Sequence, residues 1–205
     1  METLSLPLID WGASTLTLRG QVESGDRHVV APFGPGILVA AIDGLGHGDE
    51  AASAAERAAS ILEENPQESV IALVRRCHES LRRTRGVVMS LASFHAPDET
   101  MAWLGVGNVE GRLLRVQRDI AQPSETLLLR GGVVGSQVPQ LQAALLSIVP
   151  GDTLVFATDG VSLPLIPEIS AHERPQAIAE RILARYKKDT DDALVLVVRW
   201  IGPPR

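Results

Sequence analysis

The chain is 205 residues long, with a formal net charge of −6, 45% apolar and 21% charged residues, and 3% aromatics. That length suits one domain with a substantial core; the acidic balance argues against a nucleic-acid or anionic-membrane partner, and so few aromatics leave no stacking platform for bases. Cys77 is the single cysteine, which excludes an internal disulfide and favours a reducing compartment.

The opening METLSLPLIDWG has no cationic region ahead of an apolar one and does not read as a signal peptide. STLTLRGQV (14–22) alternates apolar and polar residues and predicts a half-exposed strand. GILVAAI (36–42) is apolar throughout, the mark of a central strand covered on both faces. From Asp49 to Glu63 the alanine, glutamate and arginine content favours helix, and Asn65-Pro66 breaks it. A second helix is expected over about Gln67 to Arg83, with Val70, Leu73, Val74, Cys77 and Leu81 at helical spacing and Gly86 as its stop. Short runs at 87–96, 100–107, 111–117 and 126–130, separated by turn residues, predict an antiparallel meander. A further strand pair is expected at 143–149 and 153–157 around Pro150-Gly151-Asp152, then a helix over Pro175–Tyr186 and a last strand at 193–200. The longest apolar runs, ILVAAI (37–42) and ALVLVV (193–198), are too short to cross a bilayer. No repeat or linker interrupts the chain, so the expectation is one cytoplasmic α+β domain, 1–205, with antiparallel sheets.

Acidic residues recur where apolar strands meet turns: Asp26 in Ser24-Gly25-Asp26, Asp43 at the end of 37–42, Asp159 in Ala157-Thr158-Asp159-Gly160, and Asp191-Asp192 before 193–200. Each has an ordinary reading, since Asp-Gly is a common turn dipeptide and paired aspartates often lie in solvated loops. Carboxylates gathered at one sheet edge would repel one another without cations between them. An oxygen-only donor set suits Mg²⁺ or Mn²⁺ rather than zinc.

The order of these segments, Ile42-Asp43-Gly44-Leu45-Gly46, then Ala157-Thr158-Asp159-Gly160-Val161, then Asp191-Asp192-Ala193-Leu194, resembles the metal-dependent serine/threonine protein phosphatases of type 2C. Within them it is similar to the compact bacterial group that resets stressosome signalling. The resemblance spans Asp26 to Asp192. It implies a four-layer αββα sandwich, two antiparallel sheets flanked by helix pairs, with no room for a large flap between the meander and Asp159. It implies Asp43 as the metal-bridging carboxylate, Gly44 as a carbonyl ligand, Asp159 and Asp191 as further metal ligands, and Asp192 as the partner of Asp191. Asp26 matches the family's short early acidic motif. Two ions, Mn²⁺ or Mg²⁺, would activate a water for attack on phosphorus. The implied substrate is a phosphoserine or phosphothreonine protein, a STAS-domain stressosome component. An acidic chain of this kind would take it through shape and metal contacts rather than a basic groove.

Other assignments stay open at this stage. His47 is either a catalytic general acid or a residue orienting a helix start. Arg19 and Arg27 are either phosphate ligands or solvated side chains. Gly105-Val106-Gly107-Asn108 and Arg130-Gly131-Gly132 resemble family segments and equally suit hairpin turns. The glycines beside Asp43 would let backbone approach a phosphate closely. Competing functions are a GHKL-type ATP-binding serine kinase, whose glycine-rich boxes DGLGHG resembles, and a catalytically inactive phosphatase-like binding module.

Overall fold

A computed structural model describes residues 8–117, 123–164, 169–170 and 172–203. Two sheets pack face to face. Sheet A runs β1 (Ile9–Leu16), β11 (Ala193–Trp200), β10 (Thr153–Ala157), β6 (Glu110–Leu114), β7 (Ser124–Thr126). Sheet B runs β2 (Asp26–Phe33), β3 (Gly36–Gly44), β4 (Val87–His95), β5 (Thr100–Val106), β8 (Leu129–Arg130), with β9 (Ala144–Ser147) also paired to β5. Helices α1 (Asp49–Glu64) and α2 (Val70–Leu81) cover sheet B, while α3 (Pro175–Tyr186) covers sheet A. Four layers result, helix–sheet–sheet–helix, but only sheet B carries the expected helix pair: among the described residues sheet A is covered by the single helix α3. Every pairing is antiparallel except the two-residue β5–β8 contact.

The period-2 geometry of strands explains how continuous apolar runs serve two cores at once. In β3, Ile37, Val39 and Ala41 point between the sheets, whereas Leu38, Ala40 and Ile42 point at α1 and α2. In β11, Leu194, Leu196, Val198 and Trp200 fill the inter-sheet space and Ala193, Val195 and Val197 meet Ile178, Ala179 and Ile182 of α3. The alanine-rich face of α1 lets that helix approach sheet B closely.

All three helices form where the sequence predicts them, α2 shorter because Ser69 caps it by accepting from Ala72 N–H. Five strand assignments change. The first strand lies at Ile9–Leu16, so the predicted 14–22 overlaps it only at its end. β2 went unpredicted; its Pro32 is tolerated because β2 is an edge strand bonded only to β3. The predicted 111–117 strand stops at Leu114. The predicted 126–130 strand divides into β7 in sheet A and β8 in sheet B, with Leu127 buried between the sheets. The runs at 143–149 and 153–157 do not pair with each other: the Pro150-Gly151-Asp152 turn carries the chain from sheet B to sheet A. Residues 131–143, where a flap would be inserted, lie against sheet B and α2 through a Val87–Val134 bridge and a Gly135 N–H bond to His78 Nδ1.

The ATP-binding alternative requires a helix ahead of Asp43. Residues 8–44 instead provide three strands. Among the described residues no helix is long and apolar enough to span a membrane.

Candidate metal centre

Antiparallel pairing decides which strand ends are neighbours. Asp26, first in β2, stands opposite Asp43, next to last in β3, and as a cross-strand pair they share one face. Asp43 follows Val39 and Ala41 at period two, so it faces the cleft between the sheets. Asp159 leaves the end of β10, and Asp191 and Asp192 lead into β11, its direct partner. All five aspartates therefore gather at one end of the sandwich, two from sheet B and three from sheet A.

Hydrogen bonds spanning most of the sequence hold them there. The Thr158 hydroxyl donates to Asp26 Oδ2 at 2.7 Å and accepts from Leu194 N–H at 2.8 Å, which ties the two sheets together. Asp192, 4% exposed, accepts from Leu18 N–H at 2.7 Å through Oδ1 and from Gly25 N–H at 2.6 Å through Oδ2. Both its oxygens are used to latch the 17–25 loop. Asp191 Oδ1 accepts from Asp192 N–H at 2.9 Å. Asn108 Nδ2 donates to Asp159 Oδ2 at 2.8 Å; this contact was hidden in the sequence within a segment that reads equally well as a glycine turn.

The electrostatics are those of an anionic cluster. Burial pushes Asp43 up to about 8, reinforced by repulsion from Asp26, Asp159, Asp191 and Asp192. Burial likewise raises Asp26 to about 7, against the lowering effect of the Thr158 hydrogen bond and with repulsion from the sheet A aspartates. Asp191 is raised first by burial, while its bond from Asp192 N–H and the nearby His47 act the other way. Among the described residues no lysine or arginine forms an ion pair with any of the five. The Lys188 ammonium lies close, yet donates to the Asp159 backbone carbonyl at 2.6 Å.

These donors fit a hard divalent cation. Asp43 has no hydrogen-bond partner for its carboxylate among the described residues, and Asp26, Asp159 and Asp191 each keep one oxygen without a protein donor. A Cβ on Gly25 would lie 3.3 Å from the Gly44 carbonyl oxygen and 3.4 Å from Asp192 Oδ2, so the missing side chain leaves room beside both oxygens. Among the described residues no three acidic, histidine or cysteine side chains close around one point tightly enough to enclose an ion unaided. Mg²⁺ and Mn²⁺ retain water in their shells, so protein side chains need supply only part of their coordination. Asp192 has both oxygens hydrogen-bonded to the 17–25 loop and acts there as a latch.

The glycines beside Asp43 meet packing and backbone demands of their own. A Cβ on Gly44 would sit 2.2 Å from the Ala51 carbonyl oxygen, so that glycine lets α1 seat on the strand end. Gly46 and Gly48 adopt φ of +89° and +77°, a conformation that favours glycine. The same logic interlocks the other motifs, since a Cβ on Gly160 would lie 1.8 Å from the Asp192 carbonyl oxygen. His47 is exposed at the rim, its Nδ1 3.3 Å from Gln21 Nε2. Arg27 is occupied: its guanidinium donates to the Ser24 and Asp26 carbonyls and to Glu56. Arg19 is exposed on the 17–25 loop.

The family model described as "Stage II sporulation protein E (SpoIIE)" matches residues 34–201. The phosphoserine phosphatase RsbX of Bacillus subtilis (strain 168) is 22% identical over 186 residues, covering 89% of this chain and 90% of that protein. A chain from the structure described as "The bacterial stressosome: a modular system that has been adapted to control secondary messenger signaling" superposes with a TM-score of 0.85 at 29% identity, covering 93% of this chain and 99% of that one. RsbX in complex with magnesium superposes with a TM-score of 0.83 at 19% identity, covering 98% of both chains.

Proposed function

The chain belongs to the SpoIIE family of PP2C-type phosphatase domains, and on that premise we propose that it is a cytoplasmic enzyme, a single domain over 1–205, that removes phosphate from serine or threonine of a STAS-domain stressosome protein. One observation carries the catalytic part of this reading: aspartates from both sheets meet at one sandwich end without an ion-pairing basic side chain among the described residues. The likeness to RsbX and to a stressosome-associated structure supports the substrate class.

The side chains divide the work. Asp26, Asp43, Asp159, Asp191 and the Gly44 carbonyl are the proposed metal donors. Held there, Mg²⁺ or Mn²⁺ would supply Lewis acidity towards an attacking water and the phosphoryl oxygens. Thr158 and Asn108 aim the Asp26 and Asp159 carboxylates, as second-layer hydrogen bonds do for metal ligands generally. Asp192 holds the 17–25 loop against sheet A. His47 is the proposed proton donor to the departing seryl or threonyl oxygen; Gln21 occupies its Nδ1 and leaves Nε2 as the atom that carries the proton.

The test is hydrolysis of an aryl phosphate by the purified chain before and after chelation, with Mn²⁺ or Mg²⁺ restored, followed by intact-mass analysis of kinase-phosphorylated STAS proteins. Metal-restored turnover supports the mechanism. Turnover that survives complete removal of divalent ions refutes it, and absence of turnover with every metal indicates the inactive binding module. Release from an unrelated phosphotyrosine substrate faster than from every phospho-STAS protein refutes the substrate assignment.

A further inference from the structure

The net charge of −6 is distributed unevenly. Residues 75–85, Arg-Arg-Cys-His-Glu-Ser-Leu-Arg-Arg-Thr-Arg, contribute +4, and the rest of the chain sums to −10. Helical geometry places this charge on one side. Leu73, Val74, Cys77 and Leu81 form the buried face of α2, so Arg75 and Arg76 stand on its exposed side; Arg82 caps the helix and Arg83 follows in the turn, about two helical turns further on, and all four are exposed. Arg57 of α1 joins them, its Nε donating to Ser80 Oγ at 2.7 Å.

The strip ends at the aspartate cleft. Arg85 lies against the turn after Asp43: a Cβ on Gly46 would be 2.7 Å from its Nη1, and Gly86 C=O accepts from Leu45 N–H at 3.1 Å. Three of these arginines are partly neutralised, Arg76 by Glu68, Arg82 by Glu79 and Arg85 by Glu50. Arg75 and Arg83 have no acidic partner among the described residues. An ordinary solvated helix face interleaves both signs. This one carries a single excess sign, built from arginine in a chain whose lysines are only Lys187 and Lys188. Arginine's planar fork recognises carboxylates and phosphates in pairs of hydrogen bonds.

We infer that the exposed arginine face of α2, running to Arg85 at the cleft rim, is the docking surface for an acidic face of the phosphoprotein substrate. The inference rests on the phosphatase reading above and replaces recognition by shape and metal contacts alone. Attraction over the strip opposes the repulsion that an anionic substrate meets from the aspartate end, and it speeds encounter. A continuous polyanion such as DNA or a membrane would also face the acidic remainder of the surface, whereas a compact acidic patch need touch only the strip.

The experiment uses the double variant Arg75→Glu/Arg83→Glu. Both side chains are exposed and outside the metal centre, so aryl phosphate turnover stays within about twofold of wild type. With phosphorylated β-casein, an acidic substrate, kcat/KM falls by about tenfold or more at low salt, mainly through KM; with phosphorylated myelin basic protein it holds or rises. Raising salt weakens wild-type turnover of casein and narrows the gap between the two proteins. Fluorescence anisotropy with a labelled acidic casein phosphopeptide, in chelator, reads docking without turnover, so a failed phosphatase assignment leaves this test intact. Weaker peptide binding by the variant supports the inference. Unchanged peptide binding, unchanged casein preference, an equal loss on aryl phosphate and casein, or tighter wild-type binding to a DNA duplex or anionic vesicles than to the peptide each overturns it.

Discussion

Replacing Asp43 by asparagine keeps the size and hydrogen-bonding shape of the side chain and removes its charge, which separates metal binding from folding. Burial and four neighbouring carboxylates raise this residue from 3.8 to about 8. At 1.36 kcal/mol per pH unit, that rise corresponds to ~6 kcal/mol opposing ionisation. Water and salt that reach the cleft screen much of this, and a net effect on the order of 2 kcal/mol already suffices for a measurable shift. The sign follows from linkage. A carboxyl raised on folding gives its full proton-linked stability below its ordinary value and loses it as pH climbs through its folded value. The chelated wild type therefore loses stability between about pH 4 and pH 8, and D43N loses less. In thermal melts with chelator at pH 8, D43N should melt about 4–8 °C above wild type, the shift expected of ~2 kcal/mol in a chain of this size, with the gap shrinking towards pH 4. Added Mn²⁺ or Mg²⁺ should reverse the order, because wild type gains binding free energy that the variant lacks. A variant no more stable than wild type at pH 8 in chelator, or a gap independent of pH, would refute the electrostatic account.

Asp159→Asn should remove most metal-dependent aryl phosphate turnover while circular dichroism stays unchanged; wild-type rates would rule Asp159 out as a ligand. Asp192→Ala strands the buried Gly25 N–H and the partly buried Leu18 N–H and should cost about 2–4 kcal/mol in urea denaturation, with faster hydrogen exchange across 17–25. Gly160→Ala drives a Cβ into the Asp192 carbonyl and should destabilise by roughly 2 kcal/mol or more, whereas Gly34→Ala, with open space around it, serves as a near-neutral control. Asn108→Ala removes the donor to Asp159 and should raise the metal concentration for half-maximal activity about 10–100-fold, measured by Mn²⁺ titration.

The sequence by itself determined the helices, the two-sided apolar strands and the order of the acidic motifs, because these are local signals. Composition and period report what one segment buries, and α3 appears over Pro175–Tyr186 as predicted. Asp-Gly after a buried strand was legible for the same reason. Only the tertiary structure decided which sheet each strand joins, since a run such as 126–130 carries no record of whether β6 or β5 will bond to it. It also separated Asp191 from Asp192, adjacent in sequence and alike in chemistry. Asp192 is committed by N–H groups 174 and 167 residues away, while Asp191 keeps an oxygen without a donor among the described residues. Asn108 met Asp159 across 51 residues, and Thr158 met Asp26 across 132. A side chain's role at this cleft is set by the groups that the closing of two sheets brings within hydrogen-bond reach, and that reach is a property of pairing and packing, not of neighbours along the chain.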